Sequence, residues 1–250
     1  MLRLINQFVY RPDATFADPE FTPMELGLAF TPVTLTTADK LSLWAWYLPA
    51  AQASCVLLYC HGNAGDIRDW VQAIPPFLAM GCSVLLFDYR GYGRSEGRPS
   101  EEGLYLDAES AWAWVRDCAQ QEGLPAVILG KSLGTAVAIH AAIQTPPAAL
   151  VLDSAFASMQ EIAMTVTPWL PDAMLPSLYE SEKRVSQITC PTLVIHGRAD
   201  TLVPLSHAQR IHAALTAPKT LHIVNGAGHN DLSGYPEYDE TIRAFLAANL

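Results

Sequence analysis

Nowhere in the 250 residues do eighteen apolar side chains follow one another, so no stretch can cross a hydrocarbon core as a helix. The opening residues, MLRLINQFVYRPD, hold only a short apolar stretch broken by Asn6 and Gln7. That is too short and too polar for the core of a signal peptide. A cytoplasmic protein without an integral membrane segment is the expectation, with Leu2, Leu4, Ile5, Phe8 and Val9 packed on the body. Cysteine is scarce: Cys55, Cys60, Cys82, Cys118 and Cys190 are odd in number, and none forms a C-x-x-C pair. A disulfide framework is thereby excluded and a metal site is not expected; buried free thiols fit a reducing compartment. Basic charge is also short, with 15 Lys and Arg against 25 Asp and Glu, a formal net charge of −10. Such a field repels polyphosphate, so nucleic acid is not an expected partner, and no basic cluster marks an anionic lipid surface. Repeats and low-complexity tracts are missing too.

Apolar residues, by contrast, are plentiful. Half of the chain is hydrophobic and 16% is charged, enough for a sizeable core and against disorder. The length permits one large α/β domain or two small ones. Residues 10–32, with four prolines, read as irregular. Residues 33–37 and 41–48 read as a hairpin around Ala38-Asp39-Lys40. Continuous apolar runs at 55–60 and 82–87 read as strands covered on both faces, and 126–129, 149–152, 192–195 and 220–224 as further strands. Helical spacing appears between them: at Ile67, Val71, Ile74 and Leu78, with a kink expected at Pro75-Pro76; at Leu104, Ala108, Ala111, Trp112, Val115 and Ala119; over 205–215; and at Tyr235, Tyr238, Ile242, Phe245 and Leu246. Alternating strands and helices imply a mostly parallel central sheet with an antiparallel N-terminal edge and helices on both faces. Residues 154–190 break the rhythm and show no clear strand, so they read as a lid or small insertion.

The chemistry gathers at strand ends. The run 126–129 passes into Gly130-Lys131-Ser132-Leu133-Gly134, a G-x-S-x-G, and a small-residue helical pattern starts at Thr135. A serine on so sharp a strand-to-helix turn has its hydroxyl exposed above the sheet, and the glycines let the backbone pass closely. In an open α/β sheet, ligands bind outside the carboxyl ends of the strands. Those ends carry His61-Gly62-Asn63, Asp88, Ser132, Asp153, Asp200 and His229, and so a serine, carboxylates and histidines in the chain order Ser, Asp, His. That order differs from those of chymotrypsin and subtilisin.

With these motifs the chain resembles the serine hydrolases of the α/β-hydrolase superfamily. His61-Gly62-Asn63-Ala64-Gly65, the loop 88–95 (DYRGYGRS), the elbow 130–134, the stretch 197–204 (GRADTLVP) and Gly226-Ala227-Gly228-His229 carry the resemblance, over roughly residues 33–250. It is most similar to the Bem46-like group, which includes alpha/beta hydrolase domain-containing proteins 12, 13 and 17. The resemblance implies an α/β-hydrolase fold as one domain over residues 1–250, with a lid at about 154–190. It also implies hydrolysis of a carboxylic ester or thioester through an acyl-enzyme, with no metal or other cofactor and a small-molecule ester or acyl substrate. Ser132 is then the nucleophile, His229 its base and Asp200 the acid that orients the base. The backbone N–H groups of Leu133 and Asn63 would form the oxyanion hole.

Asp153 also ends a strand, and some α/β-hydrolases place the acid there; the GRADTLVP context assigns the role to Asp200. His61 is expected to orient the oxyanion loop, and Asp88 and Arg90 to brace their own loop by hydrogen bonds and an ion pair. Lys131 reads as a solvated lysine at the site entrance, and His196 as a supporting neighbour of Asp200. His140, His207, His212 and His222 belong to no motif. Phe156, Met159, Ile162, Met164, Trp169, Leu170, Met174, Leu175 and Tyr179 would supply an apolar wall for an acyl group. Neither the N-terminal membrane span of some group members nor the cysteine-rich N-terminus of others is seen, so a membrane-bound or depalmitoylating role is not expected. A peptidase, amidase or acyltransferase would use the same triad. A catalytically silent binding protein on the same scaffold is the alternative of a different class.

Overall fold

A computed structural model of the chain describes residues 9–12, 18, 20–166 and 177–250. Leu2, Leu4, Ile5 and Phe8, and Trp169, Leu170, Met174 and Leu175 of the expected wall, lie outside the described residues. The apolar runs form one eight-stranded sheet. Its strands are β1 (Thr31–Thr36), β2 (Ser42–Leu48), β3 (Cys55–Cys60), β4 (Cys82–Phe87), β5 (Ala126–Lys131), β6 (Ala149–Asp153), β7 (Thr192–Gly197) and β8 (Lys219–Val224). They lie in the order β1-β2-β4-β3-β5-β6-β7-β8. The hairpin β1–β2 runs antiparallel, as does β2 against β4; every later pairing is parallel.

Alternate residues of each central strand enter two different cores. Val56, Leu58 and Cys60 pack on one face and Cys55, Leu57 and Tyr59 on the other. Both faces are apolar because both are covered, which is why these strands show no alternation in sequence. The same holds for β2, where Leu43 and Ala45 join one core and Trp46 and Leu48 the other.

The helices are α1 (Ile67–Trp70), α2 (Pro75–Ala79), α3 (Glu101–Glu122), α4 (Leu133–Gln144), α5 (Met159–Val166), α6 (Ser181–Arg184), α7 (Leu205–Ala214) and α8 (Pro236–Asn249). α3, α4 and α7 cover the first face; α1, α2 and α8 cover the second. The expected kink is a full break. α1 passes into a 3-10 turn at Val71–Ala73, and Pro75 then opens α2, where its missing N–H has no partner to lose. Within 154–190 the described residues contain α5 and α6 and no strand.

The sheet reverses its direction of growth at β3. The chain steps outward from β3 to β4, then returns past β3 to lay down β5 on its other side. Their carboxyl ends therefore diverge into a crevice, the place where open α/β sheets bind ligands.

Candidate active site

The elbow sits at that crevice. Ser132 follows β5 with φ 53° and ψ −118°, a left-handed backbone that a residue with a side chain adopts at a cost. Two neighbours hold it there: its N–H donates to Asp153 O at 2.9 Å, and α4 begins with the next residue. The glycines have a steric reason. A Cβ on Gly134 would lie 2.0 Å from Cys60 O, and one on Gly130 2.3 Å from Gly134 O. β3, β5 and the start of α4 thus touch backbone to backbone.

Residues from two further strand ends meet Ser132. His229, in the loop after β8, places Nε2 3.0 Å from Ser132 Oγ and Nδ1 2.7 Å from Asp200 Oδ2. With Nδ1–H donating to the carboxylate, Nε2 is left to accept from the serine hydroxyl. Asp200, in the loop after β7, is fixed on its other side: Oδ1 accepts the N–H groups of Leu202 at 2.9 Å and Val203 at 2.8 Å. Burial pushes this carboxyl up, but the hydrogen bond and charge of His229, the Val203 N–H and His196 outweigh burial and hold it below its ordinary range. His196 lies 3.5 Å from Asp200 Oδ2 and donates through Nε2 to Val203 O at 2.8 Å, so it stiffens the same turn.

Residues 61–65 follow β3 and line the crevice opposite. Their carbonyls are held by distant donors: Tyr89 Oη–H on His61 O at 2.8 Å, and Tyr92 Oη–H and the Arg11 N–H on Asn63 O at 3.0 and 2.9 Å. Arg11 O accepts in turn from the Gly65 N–H at 3.3 Å, making a parallel bridge between Arg11 and Ala64. His61 is fully buried, its Nδ1–H donating to Gly62 O at 2.7 Å. Burial above all pushes its ring down to about 4 and pushes the Asp88 carboxyl, 3.8 Å away, well above its ordinary range. Asp88 does brace the loop, accepting the Ile67 N–H at 2.9 Å. The ion pair expected within loop 88–95 is not there, however. Arg90 reaches away to Asp107 on α3 and Asp39 at the β1–β2 turn.

A cleft of about 660 Å³ opens above Ser132. Asn63, Leu133 and His229 line it with Val9, Arg11, Trp70, Leu202 and Val203, and Phe156, Met159 and Ile162 come from the insertion. Two residues of the expected wall do not line it. Tyr179 is buried with its Oη 2.8 Å from that of Tyr10, and Met164 faces a separate recess beside Glu161 and Arg210. Arg11 and Trp70 were invisible as site residues in the sequence, since neither lies in a motif; Leu202 sits inside the acid loop and could have been found there.

Lys131 overturns the expectation of a solvated side chain. Its Nζ donates to Asp153 Oδ1 at 3.0 Å, Asp153 Oδ2 at 3.1 Å and His229 O at 3.2 Å. Asp153 also accepts from Ser154 Oγ–H and Tyr238 Oη–H, both at 2.8 Å. Its carboxylate thus serves Lys131, while Asp200 is the one at His229. Lys131 and Asp153 pair in register across β5 and β6, a juxtaposition that aligning the ends of neighbouring strands would have exposed. All five cysteines are free, and four of them are buried. Among the described residues no helix is long and apolar enough to cross a membrane.

This architecture is that of the α/β hydrolases. A family model described as alpha/beta hydrolase fold matches residues 56–176. Alpha/beta hydrolase domain-containing protein 17B of Homo sapiens is 32% identical over 204 residues, 79% of this chain and 68% of that one; its Xenopus laevis counterpart is 33% identical over the same shares. An uncharacterized Mycobacterium tuberculosis protein is 41% identical over 220 residues, covering 86% of this chain and 78% of its own. Among solved structures, the esterase Pf2001 of Pyrococcus furiosus superposes with a TM-score of 0.79 at 22% identity, over 96% of this chain and 99% of that one. The chain belongs to the α/β-hydrolase family, with the 17B proteins among its relatives.

Proposed function

We propose that the protein is a serine hydrolase that cleaves a carboxylic ester or thioester through an acyl-enzyme. One observation carries the reading: the hydrogen-bonded run from Asp200 through His229 to Ser132, at 2.7 and 3.0 Å, at the floor of a partly apolar cleft. Ser132 Oγ attacks the acyl carbon while His229 Nε2 takes its proton, and the carbonyl π electrons move to oxygen. Asp200 keeps Nδ1 protonated and stabilises the imidazolium. The Leu133 N–H is the first of α4 and has no carbonyl one turn earlier to bond. With the Asn63 N–H it faces the oxyanion, each such donor worth about 10²–10³ in rate. Collapse breaks the acyl C–O or C–S bond, and His229 returns the proton to the leaving alcohol or thiol. Water repeats the attack with the same base, releasing the carboxylic acid and restoring Ser132.

The reading treats residues 1–250 as one cytoplasmic domain with residues 154–190 as its lid. Phe156, Met159 and Ile162 take the acyl group, and the substrate is a small molecule. The esterase named among the structural neighbours supports this choice of bond. A panel of p-nitrophenyl esters from acetate to palmitate tests it, with labelling by a fluorophosphonate probe. Hydrolysis and labelling are expected in the wild type and lost in Ser132→Ala. A wild type that neither hydrolyses nor labels refutes the reading, and labelling that survives in Ser132→Ala refutes the nucleophile.

A further inference from the structure

We propose that Lys131 is a positioning residue: its ammonium, anchored by Asp153, clamps the main chain of the His229 loop to the elbow. The inference rests on the serine-hydrolase reading above. Lys131 has three N–H donors and meets three acceptors, both Asp153 oxygens and His229 O. Its side chain is 12% exposed and that of Asp153 is 1% exposed. Tyr238 at the start of α8 and Ser154 after β6 complete the carboxylate's shell. The network therefore ties together the ends of β5 and β6, the loop after β8 and the first turn of α8.

Stability alone gives little reason for such a pair, because desolvation offsets much of the attraction between buried ions. Its position relative to the reaction gives a better one. His229 stands in a loop with glycines at 226 and 228, and Gly226 has φ 84°. Such a backbone has many conformers to lose. The Asp200 bond fixes the ring at Nδ1 but leaves the main chain behind it to other contacts. Lys131 is the residue next to Ser132, so the dipeptide that carries the nucleophile also holds the backbone of its base. The distance that matters, Ser132 Oγ to His229 Nε2, is thereby set across a short local circuit. A misplacement of about 1 Å in such a distance is enough to cost about a hundredfold in rate.

The test compares Lys131→Met, Lys131→Arg and the double variant Lys131→Met/Asp153→Asn. The last removes the pair without stranding a buried charge. Readouts are kcat and KM on a p-nitrophenyl ester, the rate of fluorophosphonate labelling, and hydrogen exchange of the peptide covering residues 225–231. Lys131→Met is expected to lower kcat and the labelling rate by about thirtyfold with KM little changed, and to speed exchange in that peptide alone. Lys131→Arg, whose guanidinium can meet both a carboxylate and a carbonyl, recovers most of the loss. The double variant stays impaired because the carbonyl clamp is still gone. Wild-type kcat in Lys131→Met, wild-type kcat in the double variant, or unchanged exchange at 225–231 would each overturn the clamp. A wild type that neither hydrolyses nor labels brings down the hydrolase reading instead, while the exchange measurement still decides the clamp.

Discussion

Replacing Asp200 by Asn is a sharper test than removing it, because the surrounding donors dictate how the amide must sit. Oδ1 of Asp200 already accepts two main-chain N–H groups, from Leu202 and Val203. An amide NH₂ turned toward them would set donor against donor at about 2.8–2.9 Å, so the Asn oxygen takes that side and the NH₂ faces His229 Nδ1. A donor there forces Nδ1 to accept, which moves the imidazole proton to Nε2. The base then presents an N–H to Ser132 where it needs a lone pair. A wrong tautomer of this kind costs about 10⁴ in kcat, or about 5 kcal/mol of transition-state stabilisation. The fold keeps every main-chain contact of the turn, so the unfolding midpoint should move little. The assay is kcat for a p-nitrophenyl ester, with ¹⁵N NMR of the histidine ring to read the tautomer. A fall of less than about tenfold, or a ring that keeps its proton on Nδ1, would refute the reasoning.

Gly134→Ala puts a Cβ 2.0 Å from Cys60 O, where only backbone could yield. Urea denaturation should show a loss of about 3 kcal/mol. His61, pushed down to about 4 mainly by burial, starts from about 6.5 in the unfolded chain. Between those values only the unfolded chain binds the proton, so stability falls as pH drops from 6.5 toward 4 and this contribution levels off below. The loss approaches about 3 kcal/mol; His61→Phe should flatten that part of a pH series of urea melts. Ile162→Trp narrows the apolar side of the cleft, and KM for a palmitoyl ester should rise several-fold while that for an acetyl ester stays level.

Much of the sheet could be read from sequence because its information is local. A strand covered on both faces is mostly apolar, and β3, β4 and β7 are buried at every position. The elbow was legible as a five-residue motif after an apolar run, although the close contact that Gly134 answers is with Cys60 O on β3. The candidate residues Asp200 and His229 followed from chain order and motif. What escaped reading depends on which strand ends become neighbours. Lys131 and Asp153 are 22 residues apart, and Arg90 finds Asp39 51 residues away. A charge counted along the chain appears solvated until the fold supplies its partner. The helix α5 spans eight residues, and its Met159, Ile162 and Met164 pack on the first core, a pattern too brief to stand out within residues 154–190.

The bridge between Arg11 and Ala64 makes the loop after β3 behave as a short continuation of that strand, completed by a segment far upstream. The segment itself docks through buried Val9 and Tyr10. If residues 9–12 dock after the sheet has assembled, a refolding chain has native secondary structure before the loop after β3 is braced. Recovery of turnover should then trail recovery of circular dichroism. In that case the return of turnover times the docking of residues 9–12.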